Sequence, residues 1–412
     1  MALKVLYISY DGMTDPLGQS QVIPYIVGLQ QKGHQFTLLS CEKKERFEKY
    51  GADIRQYLEA HQIDWQPIFY TPSPPILAKY WDIFQLRRKA SQLHKEHGFD
   101  LTHCRSYVSA DIGWYLKQRF GVKFLFDMRG FWVDERVDGG LWNLDKAFYR
   151  FAYQQYKKKE AAYLQNSDAV VILTEAGKQE MSTWEAYNPK SPIAVIPCSA
   201  DFEVFPLPTQ DMQTKARKDL ELDAGDFVVS YLGSIGTWYM LDEMLLFFSL
   251  LKKMEPKSIF LFVTPEKPET IFEAAAKYNL KPKDFKITFA KRHEVAHFLS
   301  ASDFSVFFIK PLYSKISSSP TKLGELLAMG IPVVCNTGVG DVGQILEDSK
   351  GGIAIADFDA QTLKEAAAKM LLALKEKTYD ASAIRERAFG YYDLQKAVDK
   401  YGELYGFLDK EG

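Results

Sequence analysis

The chain has 412 residues, 47% of them hydrophobic and 25% charged, which is ample for two or three full cores and excludes wholesale disorder. Its 51 basic and 53 acidic side chains give a formal charge of −2, which argues against a nucleic-acid-binding protein. Four well-separated cysteines form no C-x-x-C pair, so a zinc ribbon or thioredoxin-like site is unsupported and a reduced intracellular chain is expected.

Residues 4–10 read as a buried strand rather than a secretory signal. Residues 19–32 read as a helix ended by Gly33, and 36–40 as the next strand. Further strands are expected at 100–104, 123–127, 169–174 and 193–197, with helices between them. The pattern then restarts with strands at 227–232, 259–264, 285–289, 304–309, 332–336 and 352–356. Strands alternating with helices predict parallel sheets covered on both faces, here in two doubly wound α/β domains. The proline- and small-residue-rich stretch 196–206 marks the boundary. Residues 383–408 read as one long amphipathic helix placed to cross back onto the first domain. No apolar run reaches the ~18 residues that span a bilayer.

In an open parallel sheet, ligands bind outside the carboxyl ends of the strands. The loop 11–20, with Gly12 and Gly18, follows the first strand and could bring amides to an anion or be an ordinary turn. Gly233 and Ser234 follow the first strand of the second series in the same way. In the stretch 317–334, Ser319 is a good N-cap and Pro320 suits the first helical position. Lys322 then falls in the first turn, where the helix dipole disfavours a cation unless an anion is also bound. Glu325, three residues on, shares its side, so Thr321, Lys322 and Glu325 suit a diphosphate and a ribose diol. The bland alternative is a capped surface helix with a Lys/Glu pair. In the first domain, His103, Arg105 and Ser106 follow one strand, and Asp127, Arg129, Trp132, Asp134 and Glu135 follow another. These groups look like a substrate pocket, although His103 and Asp127 could equally serve the fold.

Together these segments resemble the retaining glycosyltransferases of the GT-B fold, closest to glycosyltransferase family 4. The likeness rests on the loop with Gly18, on 30–37, 166–171, 195–205 and 301–306, and most specifically on the helix–turn–strand segment 320–334. It implies an α/β architecture of two doubly wound Rossmann-like domains facing a cleft, with a C-terminal helix crossing back to the first domain. The implied division is an acceptor-binding domain at 1–200, a nucleotide-sugar-binding domain at 201–385 and a helix at 386–412. The implied activity is a hexosyltransferase-type, metal-independent transfer of a sugar from a nucleotide-sugar to an acceptor hydroxyl, with retention, in glycan, polysaccharide or glycolipid synthesis. No cofactor is implied beyond that co-substrate.

Carried over residue by residue, the likeness puts Gly18, Gly233, Ser234, Arg292, Lys310, Ser317, Thr321, Lys322 and Glu325 at the donor. The strand-end positions, rather than the likeness, offer Asp127, Arg129 and His103 for the reaction centre, and Arg105, Ser106, Trp132, Asp134 and Glu135 for a glycan or lipid-linked acceptor; Asp127-Met128-Arg129 stands where the family often has a histidine. Ser317 stands where the family has a first glutamate, and Ser234 and Tyr239 where it has an Arg and a Lys. Two other readings remain: a sugar-nucleotide epimerase or hydrolase of the same fold, and a non-catalytic nucleotide-sugar-binding partner. The aromatic- and lysine-rich stretches 76–89 and 142–163 suit either a core or peripheral contact with the inner face of a membrane from the cytoplasm.

Overall fold

The computed structural model describes residues 2–73 and 75–410; residues 1 and 412, at which the expected domains begin and end, lie outside the described residues. The chain divides into two compact units, Met1–Pro197 with Leu394–Gly412, and Cys198–Asp393.

The first unit holds seven strands: β1 (Lys4–Ser9), β2 (Gln35–Glu42), β3 (Asp64–Phe69), β4 (Leu101–Arg105), β5 (Lys123–Asp127), β6 (Ala169–Ile172) and β7 (Ile193–Val195). They form one parallel sheet in the order 3-2-1-4-5-6-7. The second unit holds β8 (Phe227–Leu232), β9 (Ser258–Val263), β10 (Phe285–Thr288), β11 (Phe304–Val306), β12 (Val333–Asn336) and β13 (Gly352–Ile355). These are also all parallel, in the order 10-9-8-11-12-13. Each unit is therefore doubly wound, with its order reversing between β1 and β4 or between β8 and β11. Val5, Leu38, Leu101, Leu125 and Val171 build the first core, and Val229, Phe260, Phe304 and Val333 the second.

Three features depart from the sequence expectation. The strand β3 was not foreseen, because Pro67 interrupts its pattern; a proline is tolerated there since β3 is an edge strand paired only to β2. The helix expected at 19–32 is two helices, Pro16–Gln21 and Ile23–Gln31, which meet at Val22 (φ −128°, ψ −63°) just before Pro24. The helix expected at 383–408 is also two, Ala381–Tyr392 and Leu394–Lys410. Asp393 is extended and bridges to Ala200, whose amide donates to the Tyr392 carbonyl at 2.8 Å. The break uses backbone that a continuous helix would need, and residues 386–393 stay with the second unit.

The helix Leu394–Lys410 packs into the first core through Val398, Tyr401 and Tyr405. A Cβ at Gly28, in the helix Ile23–Gln31, would lie 2.6 Å from a Val398 methyl, so glycine permits this close crossing. Gly28→Leu should lower unfolding free energy by about 1–3 kcal/mol in a denaturant titration. Adding Val398→Ala should recover part of that loss.

Candidate active sites at the carboxyl ends of the two sheets

In the second unit, the turn after β8 carries Gly233 at φ +108°. A Cβ there would lie 3.2 Å from Lys322 Nζ. Lys322 is 7% exposed, and among the described residues its ammonium has no hydrogen-bond partner. It lies 3.7 Å from the Tyr239 ring centroid, 4.2 Å from Tyr231 and 5.6 Å from Phe307. Burial pushes its pKa well below the ordinary lysine value, and Glu325 pulls weakly the other way. The Glu325 carboxylate is buried and pairs with Arg292, whose guanidinium lies 5.0 Å from the Phe205 ring centroid.

The helix bearing Lys322 and Glu325 runs Thr321–Ala328 and starts one residue later than expected, with Pro320 at its cap. Ser319 does not cap it; its hydroxyl accepts from the Cys198 amide at 3.2 Å. Thr321 opens the helix half-buried, while Ser234 and Lys310 are exposed. The Ser234 carbonyl accepts from the Tyr231 hydroxyl at 2.6 Å. Ser317 is fully buried and donates to the Ser314 carbonyl at 3.2 Å.

In the first unit, the loop after β1 departs from expectation. The amides of Met13 and Thr14 donate to the Glu42 carboxylate at 2.6 and 3.2 Å. The Thr14 and Ser40 hydroxyls complete the cradle at 2.7 and 2.6 Å. The anion at this loop is therefore a side chain of the protein itself. Gly18 is required for packing, since a Cβ there would lie 2.2 Å from the Gly12 carbonyl oxygen.

The carboxyl ends of β4 and β5 carry the other candidates. Arg105 reaches Asp11, after β1, at 3.2 Å. Ser106 and Arg129 both sit in left-handed backbone, at φ +66° and +56°. Non-glycine residues held there cost of order 1–3 kcal/mol, a strain that clusters at functional sites. His103 and Asp127 are each 1% exposed. His103 Nδ1 lies 2.7 Å from the Tyr405 hydroxyl, its Nε2 lies 3.4 Å from Asp127, and Asp127 accepts from the Tyr401 hydroxyl at 3.0 Å. Burial pushes the Asp127 carboxyl up, but Arg129 and His103 outweigh it and hold it below its usual value. Burial outweighs the Asp127 contact at His103 and keeps the imidazole below its usual value. A neutral ring donating from Nε2 to Asp127 and accepting at Nδ1 from Tyr405 fits both contacts. These contacts tie the C-terminal helix to the sheet through the pair expected at the reaction centre, while the second oxygen of Asp127, Oδ1, has no hydrogen-bond partner among the described residues. Asp134 is likewise used internally, accepting from Tyr153 at 2.7 Å and Lys157 at 3.1 Å. Trp132 stacks on Tyr107 with centroids 5.6 Å apart, and Glu135 is half-buried on the same helix, Trp132–Asp138.

The family described as Glycosyltransferase Family 4 matches residues 22–204, and that described as Glycosyl transferases group 1 matches residues 212–386. The sucrose-phosphate synthase of Thermosynechococcus elongatus shares the fold at TM-score 0.74 and 17% identity, with all of both chains covered. Anabaena HepE, solved in complex with UDP and glucose, does so at TM-score 0.71 and 14% identity, over 98% of this chain and 99% of that one. The chain belongs to the GT-B, family 4-like glycosyltransferases. WaaG, a glycosyltransferase involved in lipopolysaccharide biosynthesis, is a further structural neighbour of this glycosyltransferase, at TM-score 0.68 and 14% identity over 97% and 99% of the two chains. No curated protein sequence matches it.

Sequence reasoning missed Glu42 and the Tyr231–Tyr239–Phe307 cage of this glycosyltransferase. Glu42 was findable as an acidic residue ending a strand otherwise free of charge; the cage was not, because its rings come from three separate segments. A groove of about 750 Å³ lined by Lys4, His34, Thr37 and Asp64 opens at the amino ends of β1–β3, the edge opposite these candidates. The His103 and Asp127 shifts fix a pH dependence. Both folded pKa values lie below the unfolded ones, so the unfolded chain binds more protons on acidification. Unfolding free energy should therefore fall as pH drops below about 6.5 and fall again through the acidic range near 4. Denaturant titrations at stepped pH should show a shallower first fall in His103→Gln.

Proposed function

We propose that this glycosyltransferase works with retention of configuration, taking a hexose from a nucleotide-sugar held by the second unit to an acceptor hydroxyl held by the first. The observation that carries the reading is Lys322. A buried ammonium costs several kcal/mol, and each desolvated cation–π contact returns about 2 without supplying a counter-charge. A donor diphosphate beside Gly233 would supply the missing counter-charge. Glu325, oriented by Arg292, would accept from ribose hydroxyls, with Thr321, Ser234, Lys310 and Ser317 around the donor. HepE is solved with UDP and with UDP-glucose, which makes uridine nucleotides the first probes.

In this reading the acceptor oxygen attacks the anomeric carbon on the face the diphosphate leaves. The bond to the leaving phosphate oxygen breaks, and that oxygen takes the acceptor's proton. The protein contributes position and charge, with Lys322 stabilising the departing diphosphate. Arg129, Arg105, Ser106, Trp132 and Glu135 would orient the acceptor. The reaction needs no metal here, because the lysine takes the charge a cation would otherwise carry. Turnover should therefore survive EDTA; complete loss restored by a divalent metal would sink this part. We also propose a cytoplasmic location. Among the described residues no helix is long and apolar enough to cross a membrane.

Lys322 gives the sharpest test. Lys322→Met should weaken UDP on the order of tenfold to a hundredfold, the value of a charge-assisted contact, and uridine hardly at all. Glu325→Ala should weaken both ligands. Because burial depresses the Lys322 pKa and an anion would raise it again, UDP binding should take up protons in the pH range between its free and bound values. Calorimetry in two buffers of different ionisation enthalpy measures that uptake, and Lys322→Met should abolish it. Unchanged binding in both variants would place the donor elsewhere.

A further inference from the structure

At the carboxyl edge of the first sheet, a second group of cations lacks acidic partners. Lys79 belongs to the helix Pro75–His97, and its Nζ lies 4.5 Å from the Trp132 ring centroid and 5.3 Å from that of Tyr156. The Arg136 guanidinium also lies 4.5 Å from the Trp132 centroid. The two charges thus fall within about a Debye length of each other on one ring. Among the described residues neither Lys79 nor Arg136 forms an ion pair. Burial, then Arg136 and Lys159, pushes Lys79 down to about 8. The nearby lysine run behaves differently: Lys157 pairs with Asp134 and Glu160, and Lys159 with Asp111.

The position is fixed by Asp82, one turn further along the Lys79 helix. It accepts from the hydroxyl of Tyr10, the residue after β1, at 3.0 Å. Trp132 follows the end of β5. The cations therefore stand at the same sheet edge as Arg105 and Arg129. Around them the surface is apolar: Tyr80, Trp81, Phe84, Leu141 and Phe148 are each more than half exposed. Trp81 and Phe84 stack with centroids 5.5 Å apart, and Trp142, next to Leu141, packs on Trp132 at 5.9 Å. Two unpaired cations set inside an exposed aromatic rim are complementary to a molecule with an anionic head and a hydrocarbon body.

We propose that Lys79 and Arg136 hold the phosphate of a lipid-linked acceptor beside the Trp132 ring, while Tyr80, Trp81, Phe84, Leu141 and Phe148 receive its hydrocarbon. This rests on the glycosyltransferase reading above and names its acceptor class. A guanidinium fork and an ammonium suit phosphate oxygens, and exposed rings next to basic side chains suit an amphiphile.

Dodecyl phosphate, kept below its micellar concentration, tests the subsite by tryptophan fluorescence and calorimetry. The parent should bind it, and more tightly than dodecyl maltoside or inorganic phosphate, each of which offers half of the chemistry. Lys79→Gln with Arg136→Gln should weaken it on the order of tenfold to a hundredfold. Lys79→Arg should retain binding, and Trp81→Ala with Phe84→Ala should weaken dodecyl phosphate more than inorganic phosphate. UDP binding, measured on the same preparations, should stay at the parent value, which separates failure here from failure of the donor assignment and reports the fold. Equal binding by the parent and the double glutamine variant, or none by the parent, overturns the proposal. So does binding only to phosphatidylglycerol vesicles, which would make the patch a general lipid-surface contact.

Discussion

A parallel sheet covered by helices on both faces leaves charged groups only its two edges. Every strand of each unit points one way, so the carboxyl ends share one edge, and the strand order reverses between β1 and β4 and between β8 and β11. The chain uses those reversals in contrasting ways. After β8 it places a glycine turn against a lysine that has no hydrogen-bond partner. After β1 it turns the loop amides inward onto Glu42. The anion site after β1 is satisfied from within and acts as a structural joint, whereas the turn after β8 faces an ammonium with no hydrogen-bond partner among the described residues. The distinction follows from counting partners, not from the glycines, which both loops have.

The lysine is costly to bury. The desolvation of an ammonium amounts to several kcal/mol even after relaxation, and three aromatic rings offset it without supplying a counter-charge. Such a residue persists when the state that matters contains its counter-ion. The same logic separates Lys322 from Lys315, whose ammonium also lies over a ring, Trp238 at 3.5 Å, but which has further interactions. It also explains how a chain with Ser234 and Tyr239 in place of the family's usual cations keeps positive charge at the turn. The charge comes from the helix Thr321–Ala328, and Tyr239 becomes part of its housing.

Much of this architecture was legible in the sequence because buried parallel strands read as short apolar runs, and all six strands of the second unit announce themselves that way. The failures have physical causes. Edge strand β3 carries a proline that a central strand could not. The break at Asp393 depends on a pairing with Ala200, almost two hundred residues distant, which no local pattern records. At the site, Lys322 and Glu325 were visible from the conflict between a lysine and the helix dipole. Arg292, which neutralises Glu325, lies on another segment, so the sequence showed two charges where the fold shows a lone cation beside a closed pair.

His103 and Asp127 show the limit of reading function from position alone. Asp127 ends β5 and His103 lies within β4 two residues before its end, near the edge where ligands bind, and polar residues there are ordinarily candidates for chemistry. The C-terminal helix changes their meaning. Tyr401 and Tyr405 arrive from the far end of the chain and engage Asp127 Oδ2 and His103 Nδ1, while Asp127 Oδ1 has no hydrogen-bond partner among the described residues. Beside them, Ser106 and Arg129 sit in left-handed backbone. Backbone held at positive φ in non-glycine residues persists only where the surroundings enforce it. Here Asp127 is fixed between His103 and Tyr401, and Arg129 lies 3.8 Å from that carboxylate, so the helix that closes the first unit also orders the charged groups where its central strands end.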